Sequence, residues 1–363
     1  MNCSEILDIN GVHKIVVDNI SGLFRGPRVL VEQKEKNGDV PNNILKLLMN
    51  PTIRRGDGLI YSSVQSGYLQ KISNFVDECT PLQIVFQGLP FKCHNPVETM
   101  RRTPDLGEIA FLLRLGDINE TIKQIYKPGV RFTILTEGNS YKKLFGATDK
   151  EVVEFDKKCI EYSQLLGLDQ TVSFIDILSL VGDRVFYEGE VKKRQEHIFT
   201  QIEKSGTSEE IEHFIPVMSR SLPIIGEVSF EDLLSVFGYS NGVQKLTEFQ
   251  KDFAVYLKNA ATELVVRYLA IQRVKKDEEL IQNSFPDYLY FSTTSKMDRY
   301  SFHPIHRRTR LYPHHGVPVL GSDKIDIVYF GEVITNPGIY TAVYYDKDTE
   351  NAPFYFIKGR YRQ

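Results

Sequence analysis

The feature that most constrains this chain lies between residues 82 and 177, where short apolar runs alternate with helix-like stretches. LQIVFQG at 82 to 88 is an apolar run closed by a Gly-Leu-Pro break, as a buried strand is. Gly107 to Tyr126 reads as a helix. VRFTILTEG at 130 to 138 contains the next strand, and TVSFIDI at 171 to 177 is a third. Between them Thr148 and Glu151 have capping-box spacing, and Val152, Phe155, Cys159, Tyr162 and Leu166 follow at intervals of three and four, which gives a helix one apolar face. Strand, helix, strand, helix, strand needs crossover connections, and these build a parallel sheet. The expected fold is therefore α/β, a Rossmann-like doubly wound sheet.

That topology says where chemistry collects, because ligands of open α/β sheets bind outside the carboxyl ends of the strands. GLPFKCHNP follows the first strand and offers Lys92, Cys93, His94 and Asn95; PDLGE then brings Asp105 and Glu108 to the next helix start, where a carboxylate can cap the helix or serve a site. TEGNSY follows the second strand and sets Glu137 beside a glycine that permits a tight turn.

A third concentration is RYSFHPIHRRTRLYPHHG, residues 299 to 316, which holds four of the eight histidines and four arginines with no carboxylate. The whole chain carries 44 basic and 47 acidic residues, so a nucleic-acid partner is not expected. His303 and His306 are three apart, yet Pro304 opposes a regular helix through them and no H-E-x-x-H or C-x-x-C occurs. A metal site is not expected. The reading that remains is a pocket for an anionic small molecule, with imidazoles positioned for proton transfer.

The rest of the chain frames this core. Residues 1–80 read as a peripheral layer with a helix marked by Leu69, Ile72, Phe75 and Val76, and residues 81–320 as the catalytic core with a helical excursion at about 200–285. From Val243 to Phe285 there is no glycine or proline, and Leu246, Phe249, Phe253, Tyr256, Ala260, Leu264 and Tyr268 keep helical spacing, read here as a core-facing stripe. YLYFST, DIVYFGEVI, IYTAVYYD and PFYFIKG read as an antiparallel ending with a turn at Asn336, Pro337 and Gly338, the last part of it, 321–363, belonging to the same domain. The N-terminal MNCSEILDIN has no signal-peptide core, no run reaches the length of a membrane span, and Cys3, Cys79, Cys93 and Cys159 lack paired spacing. A cytoplasmic protein with reduced thiols and no membrane partner is expected.

Four ordered blocks give the chain a resemblance. GLPFKCHNP with PDLGE, TEGNSYKKLFGATDKEV, RYSFHP and PHHGV are similar to the motifs of the isonitrile synthases, the family also called pyoverdine and dityrosine biosynthesis proteins. Two departures stand out: the family's Ser-Asp-Gly is Thr136-Glu137-Gly138 here, and the aromatic residue before His315 is His314.

The resemblance implies a reaction without cofactor, in which the α-amine of a tyrosine- or tryptophan-like amino acid becomes an isonitrile and ribulose 5-phosphate supplies the carbon. It implies His303 and His315 as acid/base groups, Glu108 and Glu137 as carboxylates that orient a histidine or bind the amine, and Lys92 and Arg299 as anion contacts. Ser301, Asn95, Asp105, Arg308 and Arg310 complete the expected substrate-binding set. The product would pass to a downstream oxygenase. The rival functions are an N-formyl- or acyl-transferring enzyme acting on an aromatic amino acid and a non-catalytic anion-binding module.

Overall fold

The computed structural model describes residues 5–7, 39–55, 62–92, 95–222, 228–239, 245–277, 279–294, 299–307, 309, 311–321, 324–345, 350 and 352–359. Strand β1 (Glu5–Leu7) belongs to a second sheet; helices α1 (Val40–Leu48) and α2 (Ser62–Asp77) then lead into the central one. That sheet is built from β2 (Leu82–Gly88), β3 (Val130–Thr136) and β4 (Val172–Asp176), joined through α3 (Leu106–Lys123), the short α4 (Gly138–Tyr141) and α5 (Asp149–Leu165). After a 3-10 turn at Ile177–Leu180 the chain runs through α6 (Arg184–Ser205), α7 (Glu209–Ser221), α8 (Phe230–Val236), α9 (Glu248–Asp277) and α10 (Leu280–Ser284) before returning as β5 (Leu289–Phe291).

All pairings in this sheet are parallel, in the order β4-β3-β2-β5. The chain fills one side of β2 and then crosses to the other, so the direction of winding reverses at β2. This is the 3-2-1-4 beginning of a doubly wound fold, and the reversal leaves a crevice at the carboxyl ends of β2 and β5. The strands are apolar on both faces because helices cover both: Ile84, Val85 and Phe86 are all fully buried.

The second sheet joins β1, β6 (Val317–Leu320), β7 (Ile325–Val328), β8 (Tyr340–Tyr345) and β9 (Tyr355–Lys358) in the order β1-β8-β9-β6-β7, with α11 (Phe330–Ile334) between β7 and β8. It is mixed: β6 with β7 and β8 with β9 are antiparallel, while β9 with β6 and β8 with β1 are parallel. YLYFST therefore parts company with the other C-terminal segments, since its Leu289–Phe291 portion pairs parallel with β2 in the first sheet. Asn336 to Gly338 make a turn, but between α11 and β8.

Helix α3 stands between the two sheets. Phe111, Leu112, Leu115, Ile118 and Ile122 join the core beneath the first sheet, whereas Leu106, Ile109 and Ala110 join that of the second. A helix apolar on every side must be buried on every side. Its N-terminus, with Asp105 and Glu108, is thereby fixed at the seam.

Both capping boxes form, at Asp105/Glu108 on α3 and at Thr148/Glu151 on α5. The expected stripe on α9 holds only in its second half. Leu257, Ala261, Leu264 and Val265 are buried, but Phe249 and Tyr256 are 53% and 58% exposed, because the N-terminal turns of this 30-residue helix run past the core. Within the helical excursion expected at about 200–285, α7 buries Ile211, Ile215 and Met218 against α9.

Candidate functional site

The strand ends supply the first group of side chains. Gln87, the last side chain of β2 before its terminal glycine, donates from Nε2 to Glu137 Oε1 (3.0 Å), and Tyr290 of β5 donates its hydroxyl to Gln87 Oε1 (3.0 Å). Glu137 follows β3 directly and also accepts from Lys275 Nζ (2.9 Å). The Arg299 guanidinium lies 4.1 Å from the centre of the Tyr290 ring. Glu137, Gln87, Tyr290 and Arg299 thus form one connected set at the crevice where the sheet reverses.

Helix α9 closes over it. Tyr268, Gln272 and Lys275 recur at spacings of four and three, one face of the helix. Lys275 is buried, 4.9 Å from the Tyr141 ring centre, and Gln272 donates to the Tyr141 hydroxyl. Burial, and then the Glu137 charge, pushes the Tyr141 phenol well above its ordinary pKa. Tyr268 is shifted upward for the same two reasons. These phenols stay protonated and act only as neutral donors or acceptors.

The loop after β2 supplies a second group. Leu89 has a left-handed backbone (φ 48°) although it is not glycine, a conformation costing on the order of 1 kcal/mol that the buried side chain helps to hold. Beyond it Lys92 enters a sealed cage, with Nζ 2.9 Å from Asp105 Oδ2, 3.0 Å from Glu108 Oε2 and 2.7 Å from the Pro313 carbonyl. Burial works against the Lys92 charge, but the two carboxylates outweigh it and raise its pKa. Asp105 is pushed up to about 7: burial drives the rise, the Lys92 ammonium opposes it, and the Glu108 charge adds to it. One ammonium facing two buried carboxylates leaves a site that readily takes a proton.

The contact with Pro313 ties the cage to the 299–316 segment. The Tyr312 hydroxyl accepts from Arg55 Nη1 (2.5 Å) and donates to the Thr293 carbonyl (2.9 Å), and its ring stacks on His314 at 5.7 Å. His314 is held well below the usual imidazole pKa, by burial and then by the neighbouring His315 and Lys92, so it is neutral. His315 Nδ1 lies 3.3 Å from Glu98 Oε1. Tyr312 and Glu137 both act on Tyr268, which stands between the two groups. The loops themselves touch: a Cβ on Gly138 would come within 2.6 Å of the Pro90 carbonyl and 2.5 Å of Val152 Cγ1, so only glycine fits there.

The remaining expected residues fall in different places. Half-burial, and then the charges of Arg55 and Arg114 with a smaller effect of His306, lowers the pKa of His303 to about 4. It is a neutral imidazole at working pH, apart from the contacts of Lys92. Ser301 donates to the Thr294 carbonyl (2.7 Å) and fixes the turn after β5. Asn95 Oδ1 accepts from the Val97 backbone (2.9 Å), and its Nδ2 is buried with no partner among the described residues. Arg308 and Arg310, like Cys93 and His94, lie outside the described residues. Lys92 departs most from expectation: all three ammonium protons are engaged and the group is closed to solvent, so it neutralises carboxylates where an anion contact was foreseen.

Gln87, Glu98, Lys275, Tyr290 and Tyr312 were missed by sequence reasoning. Lys275 sits in a Lys-Lys-Asp run that resembles a solvated face, and only Gln87, a polar residue ending an apolar strand, carries a local signal. Among the described residues no three His, Cys, Asp or Glu side chains are grouped so as to hold a metal ion, and no helix is long and apolar enough to cross a membrane.

Residues 72–223, which carry both the β2 loop and the Glu137 turn, match the model of the pyoverdine/dityrosine biosynthesis protein family. Over this segment the chain is similar to that family. It is 28% identical over 113 residues to L-tryptophan isonitrile synthase AmbI2 of Fischerella ambigua, a match covering 31% of this chain and 33% of the relative. It is 22% identical over 275 residues to the L-tyrosine isonitrile synthase of Pseudomonas aeruginosa, covering 75% and 79%. Matches to the first three curated relatives span only 33%, 27% and 30% of their lengths. The crystal structure of the PvcA protein from Pseudomonas aeruginosa superposes with a TM-score of 0.60 at 19% identity, covering 88% of this chain and all of that chain. The shared feature is the α/β fold.

Proposed function

We propose that this chain is an isonitrile synthase that converts the α-amine of an aromatic amino acid, with ribulose 5-phosphate as the one-carbon donor. The observation that carries the reading is Glu137, a partly exposed carboxylate at the reversal point of the sheet, held on one oxygen by Gln87 and Lys275. Both contacts fall on Oε1, so among the described residues Oε2 is left to receive a substrate ammonium.

The chemistry assigns work to the other groups. An amine attacks a ketone only when unprotonated, so a base must take its proton; His315, steadied by Glu98, suits that task. Forming the imine expels water, which needs a proton returned to the departing oxygen. A phosphate dianion needs fixed cations, and Arg299 and Arg55 flank the crevice. His303, neutral beside the Arg55 and Arg114 charges, avoids adding a third cation. Lys92 acts at a distance by keeping the α3 N-terminus and the Pro313 turn in register. Cleavage of both carbon–carbon bonds of the former ketone carbon, with C1 released as formaldehyde and C3–C5 released as the protonated three-carbon phosphate fragment, would leave the isonitrile.

The test is incubation with L-tyrosine or L-tryptophan and ribulose 5-phosphate, with rapid chemical trapping. An isonitrile at early times supports the proposal. Formamide from the outset, with no trappable precursor, would assign the chain to formyl transfer.

A further inference from the structure

A cavity of about 300 Å³ lies beyond β4, lined by Leu180 to Asp183, by Phe186 and Tyr187 of α6, by Val274 of α9 and by Leu280, Asn283 and Ser284 of α10. We propose that it receives the apolar side chain of the amino-acid substrate, and that the phosphorylated co-substrate is held elsewhere. The inference rests on the isonitrile synthase reading and extends it to a separate subsite.

Three observations support it. The cavity lies beside the candidate centre, since the Ile177–Leu180 turn, whose Leu180 lines it, packs against α4, the helix that starts directly after Glu137. Tyr187 is the partition: it lines the cavity, its phenol is pushed upward by burial and then by the Glu188 and Glu137 charges, and its buried hydroxyl has no hydrogen-bond partner among the described residues. A buried hydroxyl without a partner is costly unless a ligand completes it. Second, the lining suits a hydrocarbon body. Leu180, Val181, Val274 and Leu280 give apolar walls, and Phe186, at the mouth, is 55% exposed, more than a large apolar side chain favours without an occupant. Third, among the described residues the lining includes Asp183 but no lysine, arginine or histidine, so it repels a phosphate dianion and tolerates an ammonium. Its volume is at the lower end for small-molecule pockets, enough for one aromatic amino acid.

The test exploits the absence of tryptophan from the chain, which makes bound L-tryptophan the only indole fluorophore. Gly182→Phe fills the rim from an exposed position, where an added Cβ meets nothing within 4 Å, so folding is preserved. Titration of the full chain should show L-tryptophan bound about thirty-fold more weakly by Gly182→Phe than by wild type, the fold-change expected for losing one buried aromatic side chain. L-Alanine should compete far more weakly than L-phenylalanine, and ribulose 5-phosphate should leave the indole signal in place. Unchanged L-tryptophan affinity in Gly182→Phe, or displacement of tryptophan by ribulose 5-phosphate, would overturn the pocket while leaving the activity to be judged by product formation. Affinity lost in Gly182→Phe by a wild type that forms no isonitrile would keep the pocket and remove the proposed reaction.

Discussion

Replacing Lys92 with methionine tests whether the sealed cage is structural. Methionine keeps most of the side-chain volume but removes the ammonium, leaving Asp105 and Glu108, 1% and 0% exposed, without their counter-ion. Breaking a buried ion pair by removing one partner costs about 3–5 kcal/mol. At roughly 2.1 cal/mol/K per residue, a chain of 363 residues has an unfolding entropy of about 0.76 kcal/mol/K, so the loss lowers Tm by about 5 °C. The pH dependence adds a signature. With Lys92 gone the two carboxyls bind protons more tightly when folded than when unfolded, so the variant's deficit grows as pH rises from 5 to 8. Glu108→Gln added to Lys92→Met should restore part of the loss, because a single carboxylate then remains. Thermal unfolding by circular dichroism at pH 5 and pH 8 measures all three proteins. A Lys92→Met Tm within 1 °C of wild type at pH 8, accompanied by lost turnover, would refute the structural role and return Lys92 to direct contact with substrate.

Other perturbations have defined outcomes. Gly138→Ala drives a Cβ into Val152 and the Pro90 carbonyl, and should cost about 1–3 kcal/mol in urea unfolding while depressing turnover. His303 titrates near 4 when folded and near 6.5 when unfolded, so the unfolded chain binds the extra proton between those values and stability is lost as pH falls through that window. Because His303 is only half-buried, the loss is of order 1–2 kcal/mol after solvent screening, and His303→Gln should flatten the denaturation profile between pH 6.5 and 4. Tyr187→Phe removes a buried hydroxyl without a partner among the described residues; it should raise stability by about 1 kcal/mol while slowing isonitrile formation, read by paired melting and turnover assays.

How far the sequence discloses this architecture depends on the range of the interaction involved. The alternation over 82–177 discloses three parallel strands, because a crossover helix and the strands it joins are neighbours in sequence. The Asp105 and Thr148 caps are equally local. Leu289–Phe291 is just as apolar, yet nothing within it says that its partner is β2, some 200 residues earlier; that choice is made by space left open beside β2. The same holds at the site. Glu137 and the 299–316 segment stand out by composition, whereas Lys275 acquires its meaning only when α9 lies across the strand ends and aims a lysine from a charged run at Glu137. Lys92 shows the converse: a motif lysine beside polar neighbours suggests an anion contact, and only the arrival of Pro313 and the α3 cap reveals that its charge is already consumed.

The central claim is that this chain transfers the ketone carbon of ribulose 5-phosphate to the nitrogen of an amino acid at Glu137. Ribulose 5-phosphate labelled with ¹³C at the ketone, incubated with L-tyrosine and followed by ¹³C NMR, addresses it directly. Wild type should give a labelled isonitrile carbon bonded to nitrogen, and Glu137→Gln, which cannot hold the ammonium, should form it about 10²- to 10⁴-fold more slowly. An unlabelled product, or a labelled one formed equally fast by Glu137→Gln, would contradict the account.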